Sequence, residues 1–343
     1  MEILENVDLT PYNTFGVRAQ AKFFCVLEST SDIPRLFTHK EFIQNKRQFL
    51  GGGSNVLFVQ DFPGLVILNK LTGIEILKEE REDVFIRTLS GTNWHEFVLF
   101  AVDHNWWGVE NLSLIPGTVG GAPMQNIGAY GVEVKESVYE VEAYNISTGE
   151  KKIFPNSECQ FGYRDSIFKQ ELKEKYFISA VVFKLSKIPR INTSYRILAD
   201  YLDKNNINIK TPKDISDVVI AIRESKLPNP KIIGNAGSFF KNVYVEKEKL
   251  TELLKTFPDM PFFDEDQKIK IPTGWLVEQC GPEDGVSWKG SRVGNVGVHD
   301  KQALVLVNHG GGTGMELYDL AQLIISSVYT KFGLNIAPEV NIV

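Results

Sequence analysis

Glycine is concentrated in three short segments of this 343-residue chain, and these segments constrain its fold more than any other feature. They lie at 51–53, 117–131 and 310–314. None fits G-x-G-x-x-G or G-x-x-x-x-G-K-[ST], so the sequence supports neither a Rossmann dinucleotide site nor a P-loop. Because glycine has no Cβ, such a backbone can approach a pyrophosphate closely and direct successive N–H groups at it. The same residues also suit tight turns between strands.

The second segment, 116–131, is the most informative of the three. Seven of its sixteen residues are glycine or alanine, with Gln125, Asn126 and Tyr130 interleaved among them. This composition predicts a surface that passes under a flat ligand and contacts it through backbone amides. For the first segment taken alone, a phosphate site and a simple turn remain equally open. The third segment is interpreted as a loop that enters a helix.

Composition and charge exclude several classes of partner and site. A chain of 343 residues suggests two or three domains. The net charge of −6, without a basic block, argues against nucleic acid or an anionic membrane as a partner. Five histidines without ligand spacing predict no metal site, and three widely separated cysteines predict no disulfide framework. The N-terminus has no signal-peptide pattern and no apolar run is long enough to span a membrane, so we expect a cytoplasmic protein.

Hydrophobic periodicity predicts strands in the first half and a mixture of helices and strands in the second. Strands are predicted at 23–27, 65–68, 84–89 and 139–144, with a hairpin turn at 147–149. Helices are predicted from Thr92 to about Asn105, after Thr211-Pro212, around 250–257, and from the capping box Thr313–Glu316 to Gly333. The polar stretch 203–212 is the preferred domain boundary.

Three polar residues stand out as candidates for chemistry, although each also has a structural interpretation. Ser238 lies among small residues and is followed by two phenylalanines, which suits an exposed hydroxyl shielded from water, but also an ordinary turn. Arg164 is followed by Asp165 and is equally compatible with a structural ion pair. Glu339 follows a proline near the C-terminus, where a solvated side chain is common.

Taken together, six segments resemble the UDP-N-acetylenolpyruvoylglucosamine reductase family. In chain order they read Y-N-T-F-G at 12–16, G-G-G-S-N at 51–55, P-G-T-V-G-G-A-P-M-Q-N-I-G-A-Y-G at 116–131, Y-R-D-S at 163–166, G-N-A-G-S-F-F-K-N at 234–242 and P-E-V at 338–340. The third and fifth are long and specific, and the set spans the chain from Tyr12 to Val340.

The resemblance implies an α+β fold with a two-lobed FAD-binding region of the vanillyl-alcohol-oxidase type and a C-terminal α+β substrate domain. The corresponding division is 1–72 and 73–205 for the two FAD-binding lobes and 206–343 for the substrate domain, whose last residues return to the active site. The implied activity is NADPH-dependent reduction of UDP-N-acetylglucosamine enolpyruvate to UDP-N-acetylmuramate through non-covalent FAD, in peptidoglycan precursor synthesis.

The resemblance also assigns roles to individual residues. Arg164, Ser238 and Glu339 fall on the catalytic arginine, serine and glutamate, and Tyr195, Lys226 and Asn242 on substrate-binding positions. After the tyrosine the family usually has glycine, whereas this chain has Arg196. The implied cofactor-binding residues are Gly51, Gly52, Gly53, Ser54, Asn55, Gly117, Thr118, Gly120, Gly121, Gln125, Asn126, Ile127, Gly128, Tyr130 and Tyr163.

Three alternatives to this reductase remain open at the level of sequence. One is another flavin oxidoreductase with the same type of FAD-binding region. Another is a serine hydrolase, since His309-Gly310-Gly311-Gly312 matches the oxyanion loop of some esterases, although the chain lacks G-x-S-x-G. The third is a nucleotide-binding protein without catalytic activity. A visible flavin would disfavour the last two alternatives.

Overall fold

The computed structural model describes residues 1–265 and 268–343, and it confirms the expected α+β class. The strands are β1 (Ile3–Asp8), β2 (Gln20–Leu27), β3 (Arg47–Leu50), β4 (Val56–Leu57), β5 (Phe62–Asn69), β6 (Ile74–Glu79), β7 (Asp83–Leu89), β8 (Gly128–Ala129), β9 (Val132–Glu133), β10 (Val138–Asn145), β11 (Lys151–Pro155), β12 (Tyr176–Ser186), β13 (Val243–Val245), β14 (Phe263–Glu265), β15 (Lys268–Ile271), β16 (Arg292–Val293), β17 (Val296–Val298), β18 (Leu306–Asn308) and β19 (Asn341–Ile342).

The helices are fewer and are longest toward the C-terminus. They are α1 (Ile33–Phe37), α2 (Lys40–Gln44), α3 (Trp94–Asp103), α4 (Gly121–Met124), α5 (Arg196–Lys204), α6 (Pro212–Lys226), α7 (Lys247–Thr256), α8 (Thr273–Glu278) and α9 (Gly314–Phe332). Short 3₁₀ helices cover Thr10–Tyr12, Thr30–Asp32, Glu110–Leu112, Val134–Glu136 and Asn156–Glu158. None of the described helices is both long and apolar enough to cross a membrane.

The first of two compact units comprises residues 1–7, 21–52 and 63–225. It contains a four-stranded sheet of order β1-β2-β5-β3 and a five-stranded sheet of order β11-β10-β12-β7-β6. In the second sheet, β10 and β12 are antiparallel, and α3 packs its apolar face into the same buried cluster through Trp94, Phe97 and Val98. Burial of this face, rather than helix propensity, stabilises a helix as short as α3.

Helices α5 and α6 complete the first unit. Leu198 and Leu202 of α5 pack with Val219 and Ile222 of α6 and with Trp107 in one buried cluster. The two units therefore divide after Ser225, since α6 is held by its apolar stripe on the first unit. This division differs from the predicted boundaries at 72/73 and 205/206, and the three-domain description stays a prediction.

The second unit comprises residues 8–20, 53–62 and 226–343. Its small sheets have the orders β13-β15-β14 and β16-β17-β18, and β19 pairs in parallel with β4. The segment 12–16 is a structural element of this unit. The backbone N–H of Asn235 donates to the carbonyl of Thr14 at 3.0 Å, and the buried Asn308 side chain donates to the carbonyl of Phe15 at 3.0 Å.

Most predicted elements are present with small changes of boundary. β2, β5, β7 and β10 contain the four predicted strands, and the predicted hairpin joins β10 to β11, with Val141 opposite Phe154. The predicted helices correspond to α3, α6, α7 and α9. The capping box is also confirmed, because Thr313 and Glu316 exchange side-chain-to-backbone hydrogen bonds, and Gly333 ends α9 at φ +64°.

Candidate active site

Gly51 and Gly52 of the first glycine segment lie against Gly117 and Thr118 of the second, within the first unit. A Cβ added to Gly51 would lie 2.5 Å from Thr118 Oγ1, and one added to Gly52 would lie 3.1 Å from the Cα of Gly117. Glycine at these positions lets the two segments approach without a shift of the Thr118 side chain or of the backbone at Gly117. For the first segment, the sequence left a phosphate site and a simple turn equally open. The two interpretations are compatible, because the packing of these loops places their backbone amides side by side.

Several amides at this junction are available to a ligand. Within the described residues, the N–H groups of Gly51, Gly52, Gly117 and Thr118 donate no backbone hydrogen bond, whereas the next two, of Val119 and Gly120, donate to Thr92 and Ser90. Backbone amides that converge without acceptors form the kind of concavity that binds phosphate. The chemistry of this junction therefore fits the pyrophosphate of a dinucleotide.

The carbonyl groups of the second segment are held by side chains from other parts of the first unit. Ser166 Oγ donates to the carbonyl of Met124 at 2.7 Å, and Arg164 Nη2 donates to that of Gly128 at 2.7 Å. Asn111 donates to the carbonyl of Tyr130 at 3.0 Å. Because these carbonyls are directed at their side-chain donors, the backbone between them is fixed. The edge of the segment that faces away from these donors can then contact a ligand.

Three of the predicted site residues have a strained backbone. Asn126, Tyr130 and Arg164 have φ values of 42°, 49° and 52°, in the left-handed region that non-glycine residues rarely adopt. Asn126 is held there by its buried side chain, which donates to Glu133 and to the carbonyl of Gly162, both at 2.9 Å. Strain of this kind persists where surrounding contacts enforce it, and it concentrates at functional sites.

Tyr130 connects an aromatic and cationic cluster in the first unit. Its ring meets that of Tyr195 edge-on, with centroids 5.6 Å apart, and Arg223 lies near its hydroxyl. Burial raises the pKa of Tyr130, against the opposing effect of Arg223. Burial also lowers the pKa of Arg223, and repulsion from Arg164 acts in the same direction. The two neighbouring guanidinium groups, of which that of Arg223 is largely desolvated, form a positive region suited to an anion.

Arg223 is a candidate functional residue that sequence reasoning missed. It follows Ser216 and Val219, both fully buried, at helical spacing on α6. An arginine on the buried face of an amphipathic helix was the available signal, because such a residue is costly unless a partner or a ligand compensates its charge. The predicted Lys226 is the last residue of the same helix and is half-buried.

Ser238 and Glu339 lie on neighbouring segments of the second unit. The backbone N–H of Glu339 donates to the carbonyl of Phe239 at 2.7 Å, and Phe240 pairs with Pro338. Ser238 itself is exposed, while the two phenylalanines after it are buried. The structure thus brings Ser238 and Glu339 close along the backbone, and it places the predicted Arg164, Tyr130 and Tyr195 together in the first unit.

The remaining predicted residues of the second unit have structural contacts of their own. Gly53 has φ +62°, and a Cβ there would lie 2.0 Å from the carbonyl oxygen of Tyr12, so this position requires glycine. The carbonyl of Asn55 accepts two hydrogen bonds from Asn341. Asn242 Oδ1 accepts the N–H of Thr273 at 3.1 Å, at the start of α8. The first glycine segment is therefore divided between the units.

Comparison with known proteins identifies the class to which this arrangement belongs. The model of an FAD binding domain matches residues 27–152, which include both glycine segments described above. The model of the UDP-N-acetylenolpyruvoylglucosamine reductase C-terminal domain matches residues 228–343, which include Ser238 and Glu339. The chain therefore combines an FAD-binding region with the C-terminal domain of a reductase.

Full-length relatives define the family. UDP-N-acetylenolpyruvoylglucosamine reductase from Flavobacterium johnsoniae is 47% identical over 100% of both chains, and that from Chromobacterium violaceum is 46% identical over 99% of this chain and 98% of its own. The crystal structure of the Thermus caldophilus enzyme superposes with a TM-score of 0.67 at 22% identity, covering 99% and 98% of the two chains. The chain belongs to the UDP-N-acetylenolpyruvoylglucosamine reductase family, and the expected fold is confirmed.

Proposed function

We propose that this protein uses NADPH to reduce UDP-N-acetylglucosamine enolpyruvate to UDP-N-acetylmuramate through bound FAD, in peptidoglycan precursor synthesis. Family membership over the whole chain carries this proposal. The structure supports it independently through the amides at the junction of the two glycine segments and through the positive cluster beside Tyr130.

FAD is held without a covalent bond in this proposal. The amides of Gly51, Gly52, Gly117 and Thr118 would hold its pyrophosphate, and segment 124–131 would contact its ring system. When bound, FAD supplies the hydride chemistry, accepting a hydride from NADPH and passing it to the terminal vinyl carbon of the substrate. The protein contributes orientation, charge and proton transfer.

Ser238 is the proposed proton donor. After hydride addition, negative charge develops on the substrate carbon that bears the carboxylate, and the hydroxyl of Ser238 donates its proton there. Gly237, at φ +68°, turns the backbone immediately before Ser238, and buried Phe239 and Phe240 fix the segment that follows it. A hydroxyl is a weak acid, but an enolic carbanion is basic enough to accept its proton, and a positioned acid contributes roughly 10²- to 10⁴-fold in rate.

Arg164 and Glu339 are the proposed stabilisers of the charge that spreads into the substrate carboxylate. Arg223 adds to the positive potential beside Arg164, because the two guanidinium groups are close enough to repel each other and Arg223 is largely removed from water. Arg164 also donates to the carbonyl of Gly128 and thereby helps to fix segment 124–131, the proposed contact of FAD.

Tyr195, Lys226 and Asn242 are the proposed contacts of the UDP-sugar. Arg196, which stands where the family usually has glycine, is accommodated on the surface. It begins α5, its side chain is 92% exposed, and its Nε lies 3.6 Å from Oδ2 of Asp200. The arginine is therefore directed along its own helix, and Tyr195 keeps its contact with Tyr130. We also propose a cytoplasmic location, since NADPH and UDP-sugars are cytoplasmic metabolites.

The flavin spectrum provides the first test of the proposal. Purified protein should show flavin absorbance, and acid precipitation should release all of the flavin into the supernatant. NADPH should bleach this absorbance, and the enolpyruvyl sugar nucleotide should restore it. Protein that cannot be loaded with FAD, or reduced flavin that the sugar nucleotide does not reoxidise, would contradict the proposed reaction.

The role of Ser238 is tested by separating the two half-reactions in stopped-flow absorbance. Ser238→Ala should be reduced by NADPH at close to the parent rate, whereas reoxidation by substrate should slow by roughly 10² or more. Ser326→Ala is the matched control, since Ser326 is exposed on α9, and it should leave both rates unchanged. A Ser238→Ala protein with normal reoxidation would remove this residue from the mechanism.

A further inference from the structure

The start of α3 holds the chain that enters the second glycine segment. Backbone hydrogen bonds run from Trp94 N–H to the carbonyl of Gly117 at 3.1 Å, and from Val119 N–H to the carbonyl of Thr92 at 2.9 Å. A further contact is made by a side chain, because Nδ1 of His95 accepts the N–H of Leu114 at 3.0 Å. The position of Gly117 and of the residues around it thus depends on α3.

Leu114 has an unfavourable backbone conformation at this point. Its φ is +58°, in the left-handed region where a Cβ-bearing residue without a polar side chain loses stability. Only Ile115 and Pro116 lie between Leu114 and Gly117, and the amides of Gly117 and Thr118 are the proposed pyrophosphate donors. A change in the backbone conformation of Leu114 would therefore shift the proposed cofactor site, because only the short link of Ile115 and Pro116 connects Leu114 to Gly117.

We propose that His95 is a positioning residue of the FAD site, which holds Leu114 in the left-handed conformation through the hydrogen bond to Nδ1. The inference rests on the proposed role of segment 116–131 in binding FAD. It requires a neutral imidazole with its proton on Nε2, because only an unprotonated Nδ1 can accept the amide.

The surroundings of His95 favour the neutral form. Burial lowers the pKa of His95, and the nearby Arg223 on α6 lowers it further, with Glu96 opposing them from the same helix as His95. The imidazole is therefore neutral at physiological pH and the acceptor is available. Protonation in acid places a hydrogen on Nδ1 and removes the contact with Leu114.

A double-mutant cycle tests the coupling between His95 and Leu114. His95→Ala should raise the dissociation constant of FAD, measured by flavin fluorescence on dilution of the holoenzyme, by about 5- to 30-fold, the cost of an unsupported left-handed residue. Leu114→Gly should leave FAD affinity within about twofold, because glycine adopts this φ without strain. The double variant should then also bind FAD within about twofold of the parent, since glycine no longer needs the histidine.

His95→Asn is the conservative variant, since its amide oxygen can occupy the position of Nδ1, and it should retain most of the affinity. In the parent, FAD affinity should fall as the pH falls below 6.5, the ordinary pKa of histidine, whereas in His95→Asn it should not. Nitrogen-15 NMR of histidine-labelled holoenzyme should show His95 as the Nε2-protonated tautomer at neutral pH.

Two results would overturn the inference while leaving the proposed function intact. One is a holoenzyme in which His95→Ala binds FAD as the parent does. The other is a cycle in which the effects of His95→Ala and Leu114→Gly are simply additive. Failure of the proposed function is distinguishable from both, because the parent protein would then bind no FAD at all.

Discussion

Gly51→Ala places one methyl group into the contact between the two glycine segments, and its effect can be worked out atom by atom. The new Cβ would lie 2.5 Å from Thr118 Oγ1, while the next atoms, Cβ and Cγ2 of Thr118, lie at an ordinary 3.5 Å. The clash is thus with a single side-chain atom. Overpacking of this kind costs about 1–3 kcal/mol, which corresponds to roughly 5- to 150-fold in FAD affinity if the two segments must stay together to bind it.

Removal of the clashing atom should relieve the defect. Gly51→Ala combined with Thr118→Ala should bind FAD within a few-fold of Thr118→Ala alone. Gly52→Ala is the matched comparison, because its Cβ would lie 3.1 Å from the Cα of Gly117, a backbone atom that Thr118→Ala does not remove. Gly274→Ala is the neutral control, since a Cβ there would lie no closer than 3.6 Å to any other atom, an ordinary contact, on helix α8 of the second unit.

The assay is fluorescence titration of FAD, with thermal unfolding of the apoprotein measured in parallel to separate lost affinity from lost fold. Parent-like FAD affinity in Gly51→Ala would show that the segments tolerate separation. A defect that Thr118→Ala fails to relieve would show that glycine is needed at 51 for close approach of the ligand, rather than for contact between the two segments.

Two further predictions concern a buried ion-pair network and the sugar-nucleotide site. Glu142→Gln should destabilise the first unit by about 3 kcal/mol in urea unfolding, because Arg87 at 2.6 Å and Lys151 at 2.9 Å lose their common partner. Burial raises the pKa of Glu142, but the hydrogen bonds from both cations outweigh it and the pKa is lowered. The stabilisation should therefore be complete above pH 4.5 and should be lost as the pH falls through this lowered pKa. Lys226→Ala should raise the KM for the sugar nucleotide without slowing flavin reduction by NADPH. Lys231→Ala, at an exposed lysine, is the control and should leave this KM unchanged. An unchanged KM in Lys226→Ala would exclude the proposed role.

The elements that could be predicted from sequence are those whose signals are local. Helix α9 is an example, because the capping box at Thr313, the apolar stripe and Gly333 all act within one or two turns of the helix. Strand β12 and helix α5 were not predicted. β12 is the centre of a sheet, buried along almost its whole length, and its apolar run lacks the period that marks a strand with one exposed face.

The candidate site was predictable where a residue type carries the chemistry, and not where tertiary contacts create it. Ser238, Glu339 and Arg164 were proposed through motifs. His95 and Arg223 were not, because a lone histidine and a helical arginine are ordinary in sequence and become informative only through their neighbours. For His95 that neighbour is an amide nineteen residues away along the chain, and the strain in Leu114 is invisible in the sequence.

In the FAD-binding region, the glycines and the polar residues have structural roles in addition to the ligand contacts that composition suggested. Gly51 and Gly52 were expected to allow a ligand to approach, and their absent side chains are needed first for the packing of one segment on the other. Asn126 and Arg164 were expected to contact ligands, and in this structure their side chains also fix the backbone of segment 124–131. These two effects complement each other. Side chains bind the carbonyl groups and glycines bring the loops together, which leaves the amides at the junction without backbone acceptors, as the proposed FAD site requires.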